Sequence, residues 1–92
     1  MKYEAVYTPR FSKELLRAER RGMPMEDIQE VIYMLENDIQ LPPKYRDHPL
    51  HGTWEGSREC HIKPDFLLIY TLEGDDVLKL ERLGSHTELF GM

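Results

Sequence analysis

Cysteine is nearly missing from this chain. Cys60 is the one thiol in 92 residues, so neither an internal disulfide nor a thiolate metal cage can form, and a reducing cytosol suits it. Long apolar runs are missing as well. None is longer than the five residues of Phe66-Leu67-Leu68-Ile69-Tyr70, far short of the ~20 residues of a membrane helix, and no apolar leader opens the sequence. The expectation is a cytoplasmic protein with no membrane partner. Net positive charge is also lacking, at −5. That speaks against a generic nucleic-acid binder, because phosphate affinity comes largely from Lys and Arg.

What is present describes one ordinary domain over residues 1–92, 40% hydrophobic and 32% charged, too apolar to stay disordered. The charge is split. Residues 2–21 carry six basic and three acidic groups, whereas residues 25–38 carry five acidic groups and no basic one. No repeat or low-complexity segment is seen.

Residues 2–8 alternate and are β-prone, which predicts a first strand. Thr8 then caps a helix with Pro9 at its first position and Gly22 as its stop. On that helix Phe11, Leu15 and Ala18 share an apolar face, while Arg10, Lys13 and Arg17 recur on a basic one that is expected to be free. Pro24 opens a second helix with Met25, Ile28, Ile32, Leu35 and Ile39 in helical spacing, and Pro42-Pro43 end any continuation. Three β-type segments follow at roughly 55–63, 65–73 and 77–84, joined by turns at Pro64-Asp65 and Gly74-Asp75-Asp76. Such short turns make an antiparallel meander. The fold class is therefore α+β, with a first strand, two helices and a three-stranded meander, the helices on one face of the sheet.

All four histidines lie after residue 47. His48 enters the sheet, His61 precedes the Pro64-Asp65 turn and His86 follows the last strand, so each stands near a strand end. Two positioned imidazoles can supply a base and an acid at neutral pH, which is what metal-free RNA cleavage requires. A base takes the ribose 2′-hydroxyl proton, that oxygen attacks phosphorus, and an acid protonates the leaving 5′-oxygen. Asp65 can orient a histidine. Period-two counting sets Arg82 in the row of Leu78 and Leu80, where its guanidinium would mark the rim of a face and offset phosphorane charge. Against this, a single histidine usually has no catalytic role, Arg82 alone is more often a salt bridge, and Phe66 and Phe90 are more often core than stacking platforms. His48-x-x-His51 is a weak metal signal without further ligands.

The combined stretches Asp47-His48-Pro49-Leu50-His51-Gly52-Thr53-Trp54, His61-Ile62-Lys63-Pro64-Asp65-Phe66 and Glu81-Arg82-Leu83-Gly84-Ser85-His86 with Leu89-Phe90-Gly91 resemble the YafQ-type toxins of the RelE/ParE superfamily. The resemblance covers nearly the whole chain and implies a RelE-like fold. It also implies a type II toxin: an endoribonuclease that enters the ribosomal A site, cuts translated mRNA without metal or cofactor, and is silenced by a cognate antitoxin protein. It carries acid–base roles to His48, His61, Asp65 and His86, a phosphate-stabilising role to Arg82, and RNA contact to Phe66 and Phe90. Relatives of this type are commonly basic, so the acidic charge of this chain moves the holding of RNA to the ribosome, with Arg10, Lys13 and Arg17 facing ribosomal RNA. The alternatives are a ParE-like gyrase inhibitor, which needs no titratable cluster, an inactive toxin that acts through antitoxin binding and repression, and a metal protein whose histidines converge on one ion. His51 has no assigned role.

Overall fold

Thr8 ends one element and starts the next. In the computed structural model, which describes residues 1–91, strand β1 (Glu4–Tyr7) stops there, and the Thr8 hydroxyl accepts from the Phe11 amide at 3.1 Å. With Pro9 at the first position, where no amide is needed, helix α1 runs Pro9–Arg20. Gly22 closes it at φ 73° with two backbone bonds, Met23 N to Ala18 O and Gly22 N to Glu19 O, the paired pattern of a left-handed helix stop. Helix α2 (Met25–Glu36) ends the same way on Asp38, φ 55°, with Ile39 N reaching Met34 O. The helical spacing through Ile39 therefore stops one turn early, and Ile39 is left 44% exposed.

Five strands make one mixed sheet rather than a lone meander. Strand β2 (His48–Pro49) adds an edge to β3 (Arg58–Lys63), which continues into β4 (Phe66–Glu73) and β5 (Val77–Gly84). The order is β1-β5-β4-β3-β2, with β1 parallel to β5 and the remaining pairs antiparallel. Both long helices cover one face. Phe11 and Ala18 of α1 and Ile28, Val31, Ile32 and Leu35 of α2 pack there on Cys60, Leu68, Tyr70, Leu78, Leu80 and Leu83.

The opposite face holds a second, smaller cluster of Leu67, Ile69 and Leu89, flanked by Leu50, Trp54 and Phe90. Leu89 comes from a third helix, α3 (His86–Phe90). Burying one leucine stabilises by about 1.5–3 kcal/mol, no more than the ordering cost of two or three residues, so α3 needs further fastening. Ser85 and Glu88 form a reciprocal capping box. Gly84 also matters, because a Cβ there would lie 3.0 Å from Glu88 Oε1 and 3.3 Å from Leu89 Cδ2.

A register shift decides which face Arg82 joins. Tyr70 pairs with Leu80 but Ile69 pairs with Arg82, so Glu81 is an extra residue and the alternation inverts after it. Leu83, not Arg82, continues the row of Leu78 and Leu80 under the helices. Arg82 joins Ile69 on the opposite face, which corrects the period-two assignment.

Candidate functional site

The face opposite the long helices collects the histidines. His48 is opposite Glu59, and His61 is opposite Leu67, in their ladders, so all four side chains share that face with Ile69 and Arg82. His86 arrives from the first position of α3. The rings form a row: His48 to His61 at 5.8 Å, His61 to His86 at 5.8 Å, and His86 to Phe90 at 6.2 Å between centroids.

Each ring is held by its neighbours. Asp65, in the β3–β4 turn, accepts from the His86 amide at 3.0 Å and from His86 Nδ1 at 2.7 Å. The backbone bond, and then the side-chain bond, hold the Asp65 carboxyl below its ordinary range. Because the carboxylate accepts, His86 carries a proton on Nδ1 and turns Nε2 outward. His61 places Nδ1 3.3 Å from the Pro64 carbonyl and Nε2 3.5 Å from Glu59. His48 sets Nε2 2.8 Å from the same carboxylate oxygen. Behind His48, Asp47 accepts from the Tyr70 hydroxyl at 2.8 Å and from Arg58 at 3.4 Å, anchoring the loop to β3 and β4. Burial and the bond to Asp47 push the Tyr70 hydroxyl pKa well up.

Glu59 escapes sequence reasoning. It is 4% exposed, touches two histidines, and its Oε1 has no hydrogen-bond partner among the described residues. Its one sequence signal is its place two residues before His61 on a strand, hence on the same face. His48, Glu59 and His61 also bring two imidazole nitrogens and a carboxylate oxygen within 4.8 Å of one another. That donor set fits a divalent transition metal, and the unpaired Oε1 is a further oxygen for it.

The other predicted residues divide. Arg82 is 6% exposed and does not touch the ring row; its Nε and Nη2 grip Glu14 at 2.8–3.2 Å, and Nη2 also reaches the Glu88 carbonyl. Of its five donors this leaves the two on Nη1 without a partner among the described residues. Arg10, Lys13 and Arg17 line a groove with Arg82, but Glu14 and Glu88 line it too, and Arg17 and Arg21 lie 4.0 and 3.2 Å from Glu88. The basic face of α1 is thus partly neutralised rather than free. Phe66, expected either to stack on RNA or to pack in the core, is 7% exposed and packs under the helices, because its neighbour Leu67 takes the His61 face, and it also lines a pocket with Asp65, Leu83 and Gly84. Phe90 flanks His86. His51, its side chain 82% exposed, stands apart from the row and among the described residues pairs only with Glu55.

Residues 3–91 match the family described as bacterial toxin of type II toxin-antitoxin system, YafQ. The mRNA interferase toxin YafQ of Escherichia coli K12 is 41% identical over 86 residues, 92% of each chain. The toxin in the crystal structure of the E. coli DinJ-YafQ toxin-antitoxin complex superposes with a TM-score of 0.88 at 38% identity, covering 99% of this chain and all of that one. A copper-bound mutant toxin from Helicobacter pylori superposes at 0.90 with 40% identity, covering 98% of this chain and all of that one.

Proposed function

This chain belongs to the YafQ family of bacterial type II toxins and is an mRNA interferase, an endoribonuclease; from that premise we propose that it cuts translated mRNA in the ribosomal A site by metal-independent attack of a ribose 2′-hydroxyl on the adjacent phosphate. The observation that carries the mechanism is the row of three imidazoles, each oriented by an oxygen acceptor. One imidazole removes the 2′-hydroxyl proton. The 2′-oxygen bonds to phosphorus, the bond from phosphorus to the 5′-oxygen breaks, and a second imidazole delivers a proton to that oxygen, giving a 2′,3′-cyclic phosphate and a 5′-hydroxyl. Asp65 fixes His86 with Nε2 toward substrate. Arg82, its guanidinium plane set by Glu14, offers Nη1 to the developing phosphorane charge. Phe90 borders the row as a surface for a base.

The groove along α1 is where Arg10, Lys13 and Arg17 meet ribosomal RNA, and an acidic segment of a cognate antitoxin competes for the same cations. The work takes place in the cytoplasm, and no helix among the described residues is long and apolar enough to cross a membrane. The test is purified toxin added to translating ribosomes, with primer extension on the mRNA. Cuts that vanish in His86→Ala, and on a message bearing a 2′-deoxy nucleotide at the cut, support the mechanism. Intact mRNA with the wild-type protein refutes it and leaves an inactive toxin.

A second reading has an observation of its own, since His48, Glu59 and His61 fit a divalent ion and an H. pylori neighbour is copper-bound. An ion held there would polarise a bound oxygen as a Lewis acid. It would also occupy imidazole lone pairs that proton transfer uses. On the main reading a chelator leaves cleavage intact and added Cu²⁺ inhibits it; loss of cleavage in chelator, restored by metal, reverses the order of the two readings.

A further inference from the structure

His61 borders not only the ring row but also a separate pocket of about 240 Å³, lined by Asp27, Lys44, Tyr45, Arg46 and Lys63 as well. In a chain of net charge −5, this pocket gathers three cations against one carboxylate. Asp27 answers Lys63 at 3.3 Å, with both side chains partly in solvent. Lys44 and Arg46 have no carboxylate within ion-pairing distance among the described residues; Lys44 Nζ instead lies 5.0 Å from the Tyr45 ring centre.

The backbone here is also unusual. Arg46 holds φ 50°, a left-handed conformation that non-glycine residues seldom keep unless the surroundings impose it. It caps the short turn Pro43–Tyr45 with its amide on the Pro43 carbonyl at 3.0 Å. The result is an exposed arginine whose backbone is held at the rim of the pocket that His61 also lines, its charge unpaired among the described residues. The Tyr45 hydroxyl is buried and lacks a hydrogen-bond partner among the described residues.

We infer that this pocket is an RNA subsite that grips, through Lys44, Arg46 and Lys63, a phosphodiester adjoining the one cut at the ring row. The inference rests on the RNA-cleaving reading above and deepens it. A strand whose scissile phosphate lies against His61 must carry its next backbone phosphate to one side, and on the Pro64 side this pocket receives it. The acidic α2 enters only through Asp27, which Lys63 already screens. A phosphate would replace that carboxylate as the partner of Lys63 and gain charge-assisted bonds from Lys44 and Arg46.

The test compares the wild type with the triple variant Lys44→Gln, Arg46→Gln, Lys63→Gln in two measurements. One is cleavage on translating ribosomes, separated into kcat and KM. The other is ribosome-free binding of a short RNA made uncleavable by 2′-O-methyl groups, followed against salt. The expected result is a KM and an oligonucleotide Kd each raised about tenfold, kcat within about twofold, and a salt slope smaller by roughly 0.7 for each phosphate that the variant no longer neutralises. Lys44→Arg with Arg46→Lys should retain wild-type values. Unchanged KM, Kd and slope overturn the subsite while leaving the cleavage reading intact. A wild type that does not cut but binds RNA more tightly than the variant supports the subsite and sinks the cleavage reading, and one that neither cuts nor binds overturns both. Weakened antitoxin binding with unaltered RNA binding also overturns it and gives the pocket to the protein partner. All three side chains are exposed, so folding should survive; if the triple variant melts early, Arg46→Gln alone carries the same measurements.

Discussion

Replacing Glu59 by glutamine separates chemistry from folding. The change keeps the shape of a side chain 4% exposed and removes one negative charge from beside two imidazoles. At 2.8 Å from His48 Nε2 the carboxylate makes a charge-assisted bond, about 1–1.5 kcal/mol stronger than its neutral equivalent. At 3.5 Å from His61 it contributes less, so the total loss is about 1.5–2 kcal/mol. If that interaction orients the rings as the phosphorane forms, cleavage slows roughly 10–30-fold. Stability moves little. The unpaired Oε1 means that burying the ion already carries a desolvation cost, which a neutral amide relieves, so Tm should stay within about 5 °C of the wild type. The assay is single-turnover cleavage on ribosomes at neutral pH, with a thermal melt on the same preparation. A wild-type rate refutes the reasoning; a melt lowered by more than about 10 °C makes Glu59 a packing residue.

Two further predictions concern how the site is held. Asp65 and Glu88, which fasten α3, are kept below their ordinary values of 3.8 and 4.5, mainly by the backbone amides of His86 and Ser85. Both folded pKa values are depressed, so the stabilisation is complete above those ordinary values and is lost as pH falls through the folded ones. Asp65→Asn and Glu88→Gln should therefore unfold at lower denaturant than the wild type at neutral pH, and the gap should close in strong acid; a gap independent of pH contradicts this. Tyr70→Phe removes the 2.8 Å bond to Asp47 but leaves Asp47 with Arg58, so the cost is about 1.5 kcal/mol, a Tm roughly 6–12 °C lower. The looser His48 loop should also lower kcat, and an unchanged melting temperature would count against that anchor.

The legible parts of the fold are the local ones. Thr8-Pro9, Gly22 and the two hairpin turns act over three to five residues, and their effects appear in the structure as helix caps and strand ends. What the pattern hides depends on pairing. The parallel partnership of β1 with β5 joins segments at opposite ends of the chain, and strand β2 has two residues, too few to show periodicity. The bulge at Glu81 inverts a face that counting by twos assigns wrongly. Helix α3 carries a readable Ser85-x-x-Glu88 cap but has only five residues, below the length at which a helical period shows. At the site, the residue types are visible and the neighbours are not. His48, His61 and His86 come together only because β2 lies beside β3 and α3 folds back over β4. Glu59 goes unremarked because a lone glutamate in a strand looks like any solvated one until the ladder puts His48 opposite it.

Net charge is a poor guide to what the site feels, and the layers explain why. Of the acids of α2, Asp27 lines the Lys63 pocket and is paired with that lysine, while Glu26, Glu30 and Glu36 sit on the helix that packs against one face of the sheet and the rings occupy the other. A helix and a sheet together put on the order of 10 Å between those charges and the substrate. The screening length is about 8 Å at 0.15 M salt and about 30 Å at 0.01 M. At physiological salt the far layer is therefore largely screened, and the local cations of α1 and of the Lys44-Arg46-Lys63 pocket dominate; at low salt the acids reach through. The double variant Glu26→Gln, Glu30→Gln, both exposed, should leave binding of the uncleavable RNA within about twofold at 0.15 M but tighten it severalfold at 0.01 M. Equal tightening at both salts would mean that Glu26 and Glu30 lie along the RNA path, and the division of this molecule into a basic working face and an acidic outer one would be wrong.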